Sequence, residues 1–318
     1  MDAAESPWER TLPETIEIIE VGPRDGLQIL PEFVETALKI EVIRSLVEAG
    51  IRRIEVASFV HPQAVPQMRD AGEVVQAVRD AECECFAMVP NLIGAERALE
   101  AGIDMLNLVV SASESHNLSN VRRSIDSSLD GFVPVLGLAG HEGASVRASI
   151  ATVFGCPFEG EVPIENVLYV GRRLKDMGCV ELNLCDTTGM ANPRQVAHIA
   201  RRVKGEFQDT KIAMHFHNTR GAGMANLLAA MQNGITSYET SFGGLGGCPF
   251  APGAAGNVCT EDVVHMAHEM GIATGIDLKR LLNAVRGAEQ KLGLRFSGQV
   301  IRAGRSCDLH PVPVTPPA

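Results

Sequence analysis

The sequence predicts an α/β chain closed into a (β/α)₈ TIM barrel, and two observations carry that prediction. A helix stopped by glycine and followed at once by a short apolar strand recurs at four places, and four further strand-like segments, each followed by a turn and a helix-like stretch, lie between them. Alternation of this kind implies parallel strands joined by crossover helices, and eight such units over about 250 residues favour the closed barrel over an open doubly wound sheet.

The elements follow in order. Ile16–Val21 reads as the first strand, with Gly22 and Pro23 setting a tight turn after it. The helix ending Leu46–Gly50 leads into a second strand at Ile54–Val56, Cys83–Val89 is the third, and Leu99–Gly102 leads into the fourth at Leu106–Leu108. Val146–Thr152 is the fifth, Lys175–Gly178 leads into the sixth at Leu182–Leu184, Lys211–Phe216 is the seventh, and Met231–Gly234 leads into the eighth at Tyr238–Thr240. At each helix stop the missing Cβ of glycine permits the left-handed conformation that ends a helix. A stretch with six glycines, 243–257, must follow strand eight as an active-site loop. The expected organisation is an extension over 1–15, a single catalytic barrel domain over 16–295, and a tail over 296–318 that is Pro-rich from His310.

Bulk properties narrow the function. With 318 residues, 45% hydrophobic and 21% charged, the chain is ordinary globular material, and its net charge of −11 leaves only basic doublets such as Arg52-Arg53, Arg122-Arg123 and Arg201-Arg202, which argues against nucleic acid as a partner. No apolar run approaches the ~20 residues of a membrane helix. The opening MDAAESPWERTLPE is acidic and lacks a signal core, so a soluble cytoplasmic protein is expected. Eight cysteines in a chain this long do not make a disulfide scaffold, and the close pair Cys83 and Cys85 lacks the two-residue gap of a zinc or redox motif; free thiols are expected. A homodimer is compatible with the sequence.

A barrel places its chemistry in the loops after the strand ends. The polar residues there are Arg24 and Asp25, Glu55 and Ser58, Ser111 and Ser113, Asp186 and Thr187, and His215 and His217. The two histidines are two apart on a strand, so their rings share a face and can bind a divalent metal, or can simply be satisfied polar side chains. Asp25, at the matching end of strand one, lies beside strands seven and eight once the barrel closes. One carboxylate, two imidazoles and an amide suit Mg²⁺ or Mn²⁺, with Zn²⁺ also admissible. Arg24 can hold a carboxylate or a developing enolate oxygen, although an Arg beside an Asp is also an ordinary surface ion pair. Cys248 can be a small buried hydrophobe or, on a loop above a metal site, a proton donor. The Gly-rich stretch has no Gly-Lys-Ser/Thr ending and no strand–GxGxxG–helix setting, so it is a poor nucleotide cradle.

VGPRDGLQ (21–28), IEVASFVHPQAVPQM (54–68), FGCPFEG (154–160), DTTG (186–189), HFHNTRG (215–221) and GGLGGCPFAPGAAGNVCTED (243–262) together resemble the hydroxymethylglutaryl-CoA lyases, TIM-barrel members of a metallolyase superfamily that also holds isopropylmalate and homocitrate synthases. The resemblance runs from about residue 16 to about 295, and the Gly-Gly-Cys-Pro loop is its most lyase-specific part. It implies metal ligation by Asp25, His215, His217 and Asn257. It also implies that Arg24 faces the thioester carbonyl, that Cys248 is the catalytic thiol, that His215 helps the proton move, and that Glu55 and Asp186 lie near the metal. The implied reaction is cleavage of 3-hydroxy-3-methylglutaryl-CoA to acetyl-CoA and acetoacetate, as in leucine degradation, with an acyl-CoA thioester as partner. Two departures put the acyl group in question: Asn218 and Arg220 replace Asp and Tyr of the usual His-Asp-Thr-Tyr-Gly, and Glu239-Thr240-Ser241 replaces Asp-Ser-Ser. Alternatives are a lyase for a related 3-hydroxyacyl-CoA, an acyl-CoA-dependent 2-keto acid synthase, and a non-catalytic barrel that binds a small acid.

Overall fold

Parallel pairing runs unbroken around the structure, β1 to β8 in sequence order with β8 closing on β1. A computed structural model describes residues 12–247, 256–309 and 311 of the chain. The strands are β1 (Glu17–Glu20), β2 (Arg53–Ser58), β3 (Glu84–Met88), β4 (Met105–Ser111), β5 (Ser145–Ala151), β6 (Glu181–Asp186), β7 (Lys211–Phe216) and β8 (Ser237–Thr240). Each overlaps an expected strand. Gly50, Gly102, Gly178 and Gly234, the four expected helix stops, all have positive φ, between +77° and +107°. They reverse the chain at the N-terminal end of the barrel and send it into the next strand.

The outer ring comprises α1 (Thr36–Glu48), α2 (Ala71–Val78), α3 (Leu92–Ala101), α4 (Glu114–Val121), α5 (Ile125–Glu142), α6 (Ile164–Asp176), α7 (Pro193–Glu206) and α8 (Gly223–Gln232). Several starts are fixed by side chains that satisfy otherwise orphaned backbone N–H groups: Asn91 accepts from Gly94, Ser124 from Ser127, and Asn192 from Gln195 ahead of Pro193. The main apolar core lies between this ring and the outer face of the strands, with Ile54, Leu106, Leu108, Leu182, Leu184 and Tyr238 contributing from the sheet. After β8 come α9 (Thr260–Glu269), α10 (Leu278–Leu292) and α11 (Val300–Ala303). Packing continues past residue 295, because Phe296 is buried with its ring 5.9 Å from that of Phe242.

Inside the barrel the filling is largely charged. A small apolar cluster of Ile19, Val21, Phe86 and Ala213 shares that space with Arg53, Arg147, Glu181 and Glu239, all buried. Arg53 on β2 donates to Glu181 on β6 at 2.9 Å, and Arg147 on β5 donates to Glu239 on β8 at 2.6 Å, contacts that only the barrel interior can bring about. Above them Asn107 donates to Glu55, Ser149 to Asn107, and Asn183 to Ser149, a polar chain across β2, β4, β5 and β6. Among the described residues no helix is long and apolar enough to cross a membrane. The described cysteines are free thiols, Cys83 and Cys85 with their sulfurs 3.4 Å apart.

Candidate active site

Arg24 and Asp25 sit on a single π-helical turn, Gly22–Gly26, rather than on the tight turn expected of Gly-Pro. Gly22 is required there, since a Cβ would lie 2.4 Å from the Phe242 ring. The turn directs both side chains back over the barrel mouth. Asp25 accepts from Arg24 Nη1 through Oδ1 at 2.7 Å and from Asn257 Nδ2 through Oδ2 at 2.8 Å. Arg24 also donates through Nε to Oε2 of the buried Glu55 at 2.5 Å. Burial opposes the charge on Asp25, but the adjacent guanidinium and the nearby histidines outweigh it and hold the carboxyl below its ordinary range.

His215 is the penultimate residue of β7 and His217 follows the strand, with ring centroids 5.0 Å apart. Among the described residues, Asp25, His215 and His217 form a group whose ligand atoms all lie within 4.8 Å of one another. Asn257 joins them because the chain leaving the Gly-rich loop runs back along β7. Its position pairs with His217, and the flanking backbone is tied by Asn218 N–H to Gly256 O at 3.0 Å and Val258 N–H to Phe216 O at 3.2 Å. Gly246 makes the seating fit, since at φ +117° a Cβ would stand 2.3 Å from Asn257 Nδ2.

These donors fit a divalent cation. Among the described residues, His217 Nδ1 and Asn257 Oδ1 are buried with no hydrogen-bond partner, two polar atoms in want of a positive group. Burial and the neighbouring His215 push His217 down to about 3, so its imidazole is neutral, the form that ligates metals. His215 Nδ1 lies 2.9 Å from Glu239 Oε2, which leaves Nε2 as the ring nitrogen open to a cation. Burial works against charge on His215, but the Glu239 carboxylate outweighs it and raises the ring above its ordinary value.

The cavity at this mouth holds about 270 Å³ and is lined by Arg24, Asp25, Gln28, His215, His217 and Glu239 among others. A second cavity of about 440 Å³ shares Gln28, Met88, Val109 and Asn120 with it, which extends the space toward the ends of β2–β4. The other expected site residues fall differently. Asp186 is buried and spends Oδ1 on the backbone N–H groups of Met190 and Ala191, shaping the turn after β6, while its Oδ2 has no partner among the described residues and burial raises the carboxyl to about 6. Ser111 bonds His116 at 2.6 Å and Ser113 starts α4. Cys248 lies outside the described residues.

The departures fall into two kinds. Asn218 accepts from Gly223 N–H at the start of α8, and Arg220 Nη1 donates to the carbonyls of Thr188 and Gly189, 2.9 Å each. Neither lines the cavity, so the extra positive charge is spent on the loop after β6. Glu239 is different, because it faces the cavity and bonds a site histidine. Its partner Arg147 is signalled in the sequence only as an arginine inside the otherwise apolar and small strand SVRASIA.

Fold and site together define a TIM-barrel lyase whose mouth gathers carboxylate, imidazole and guanidinium. The family model described as HMGL-like matches residues 15–286, and the chain belongs to that family. Hydroxymethylglutaryl-CoA lyase of Bacillus subtilis is 44% identical over 282 residues, 88% of this chain and 94% of that protein. (R)-citramalyl-CoA lyase of Chloroflexus aurantiacus is 40% identical over 303 residues, covering 92% of this chain and 95% of that protein. Among solved structures, an HMG-CoA lyase from Acinetobacter baumannii in complex with coenzyme A and 3-methylmalate superposes with a TM-score of 0.89 at 42% identity, covering 97% of this chain and 100% of that one.

Proposed function

We propose that this protein cleaves 3-hydroxy-3-methylglutaryl-CoA into acetyl-CoA and acetoacetate, with Asp25, His215, His217 and Asn257 holding Mg²⁺ or Mn²⁺. The observation that carries the reading is the cluster of half-buried Asp25 with buried His215 and His217, beside Arg24 and an Asn257 Oδ1 that has no partner among the described residues. A divalent ion held by these residues would supply Lewis acidity to the bound substrate.

The residues of the chain supply the rest. The C3 hydroxyl gives up its proton to solvent water at the open barrel mouth, that carbon becomes the ketone of acetoacetate, and the electrons of the C2–C3 bond move into the thioester as an enolate. Arg24, pinned by Glu55 and Asp25, presents a fixed guanidinium to the enolate oxygen, so little reorganisation is needed as charge develops there. Cys248 delivers a proton to the enolate carbon, completing acetyl-CoA. Glu55 and Asp186 act indirectly, the first by holding Arg24 and the second by shaping the turn after β6. Because Asn218 and Arg220 are engaged away from the cavity, they give no reason to move from the ordinary substrate.

The relative that is named a citramalyl-CoA lyase sets the competitor. The test compares kcat/KM for 3-hydroxy-3-methylglutaryl-CoA and (R)-citramalyl-CoA in the same Mn²⁺ buffer. The proposal expects the first to be higher; a preference for citramalyl-CoA by more than about tenfold, ~1.4 kcal/mol, overturns the substrate and leaves the reaction type standing.

A further inference from the structure

We propose that Arg147 is a positioning residue that, through Glu239, dictates which nitrogen of His215 carries the proton; the use made of that nitrogen rests on the reading of His215 as a cation ligand. Arg147 is fully buried on β5, across the barrel from β7 and β8. Its Nη1 donates to Glu239 Oε1 at 2.6 Å, and the other oxygen of the same carboxylate, Oε2, lies 2.9 Å from His215 Nδ1. An ionised carboxylate only accepts hydrogen bonds, so the proton at that contact belongs to Nδ1, and in the neutral ring Nε2 carries the free lone pair. The two oxygens are committed to opposite partners, and the carboxylate cannot turn without breaking one bond or the other.

The guanidinium is itself immobilised. Arg147 Nε donates to Glu181 Oε1 at 2.8 Å, Glu181 receives Arg53 Nη1 at 2.9 Å, and Arg53 in turn donates to Glu84 at 2.8 Å and Glu17 at 3.0 Å. The Arg147 carbon lies 4.6 Å over the Phe86 ring. The orientation of one histidine is thereby referred to β1, β2, β3, β5, β6 and β8 at once. Partners that orient a ligating histidine in this way are commonly worth ~10–100-fold in metal affinity.

The hydrogen-bond inventory makes a sharp test possible. In Glu239→Gln the amide keeps the shape of the carboxylate, but Arg147 can only donate, so the amide oxygen must face Arg147 and the amide NH₂ must face His215. The imidazole then has to accept at Nδ1 and carry its proton on Nε2. In metal-free protein at a pH high enough to make the imidazole neutral, long-range ¹H–¹⁵N spectra are expected to show His215 protonated on Nδ1 in the wild type and on Nε2 in Glu239→Gln. Mn²⁺ titration followed by EPR is expected to give a Kd at least ~10-fold weaker for that variant. Arg147→Lys retains a buried donor cation and is expected to keep the Nδ1–H form and most of the Mn²⁺ affinity. Arg147→Met removes the anchor and is expected to yield mixed tautomers. If Arg147→Met does not fold, Glu239→Gln and Arg147→Lys carry the comparison. A Glu239→Gln protein with Nδ1 still protonated and a wild-type Kd overturns the proposal. A wild type that binds no Mn²⁺ removes the ligand reading instead, while the metal-free tautomers still decide the role of Arg147.

Discussion

Arg24 is the residue at which folding and catalysis can be separated. It is half-buried between Glu55 and Asp25, and among the described residues Glu55 keeps only Asn107 as a further side-chain hydrogen-bond partner if the guanidinium is lost. Arg24→Gln therefore leaves a buried carboxylate without its cation, a loss of about 3–5 kcal/mol. An unfolding entropy of roughly 2.1 cal/mol/K per residue over 318 residues is about 0.7 kcal/mol/K, so the melting temperature should fall by roughly 5–7 °C. Arg24→Lys keeps a cation but not the fork, so it serves one carboxylate and loses a charged hydrogen bond worth about 1.5–3 kcal/mol, roughly 2–4 °C. The catalytic cost does not scale with that loss. A missing fixed donor at the enolate oxygen should lower kcat by ~10²–10³ in the lysine variant. Thermal melts and steady-state assays on both variants check the argument. An Arg24→Lys enzyme that melts early yet turns over within a few-fold of wild type makes Arg24 a structural residue and refutes the reasoning.

Three further predictions use other parts of the structure. Gly246→Ala places a methyl against Asn257 Nδ2 at a φ of +117°, so Mn²⁺ binding measured by calorimetry should weaken by more than about tenfold; unchanged affinity removes Asn257 from the ligand set. Cys248→Ser should cost ~10²–10⁴-fold in kcat with a melting temperature within about 1–2 °C of wild type, and normal turnover in that variant excludes the thiol as the proton donor. Burial raises Glu20 to about 7 and Glu261 to about 8 from 4.5, so the folded state holds protons that the unfolded chain has released. Stability contributed by these groups is present below about pH 4.5 and is lost as pH rises toward 8. Glu261→Gln, which can still accept from Gly243 N–H, should match wild type near pH 5 and melt higher near pH 8.5; parallel curves contradict the assignment.

Much of this architecture was legible because it rests on local rules. The helix stops at Gly50, Gly102, Gly178 and Gly234 demand a backbone that glycine adopts readily, and all four have positive φ. The spacing of His215 and His217 placed two rings on one face because strand side chains alternate, and their centroids stand 5.0 Å apart. What escaped were the pairings that only closure creates. Period two says that Arg147, Glu181 and Glu239 each point inward or outward, but not that β5 meets β8 across the interior. The same limit applies to Asp186, whose position after β6 places it near the site while two backbone N–H groups claim its carboxylate. The effect of Arg220 was likewise a matter of direction, decided by the two carbonyls that it finds rather than by its charge.

The central claim is that the cluster at the barrel mouth carries out carbon–carbon cleavage of 3-hydroxy-3-methylglutaryl-CoA with a divalent ion in place. The most direct measurement follows acetyl-CoA and acetoacetate together in chelator-stripped protein before and after Mn²⁺ or Mg²⁺ is returned. The account predicts no product without the ion and equal amounts of both products with it. Full turnover in the stripped protein, or acetyl-CoA released without acetoacetate, would contradict it.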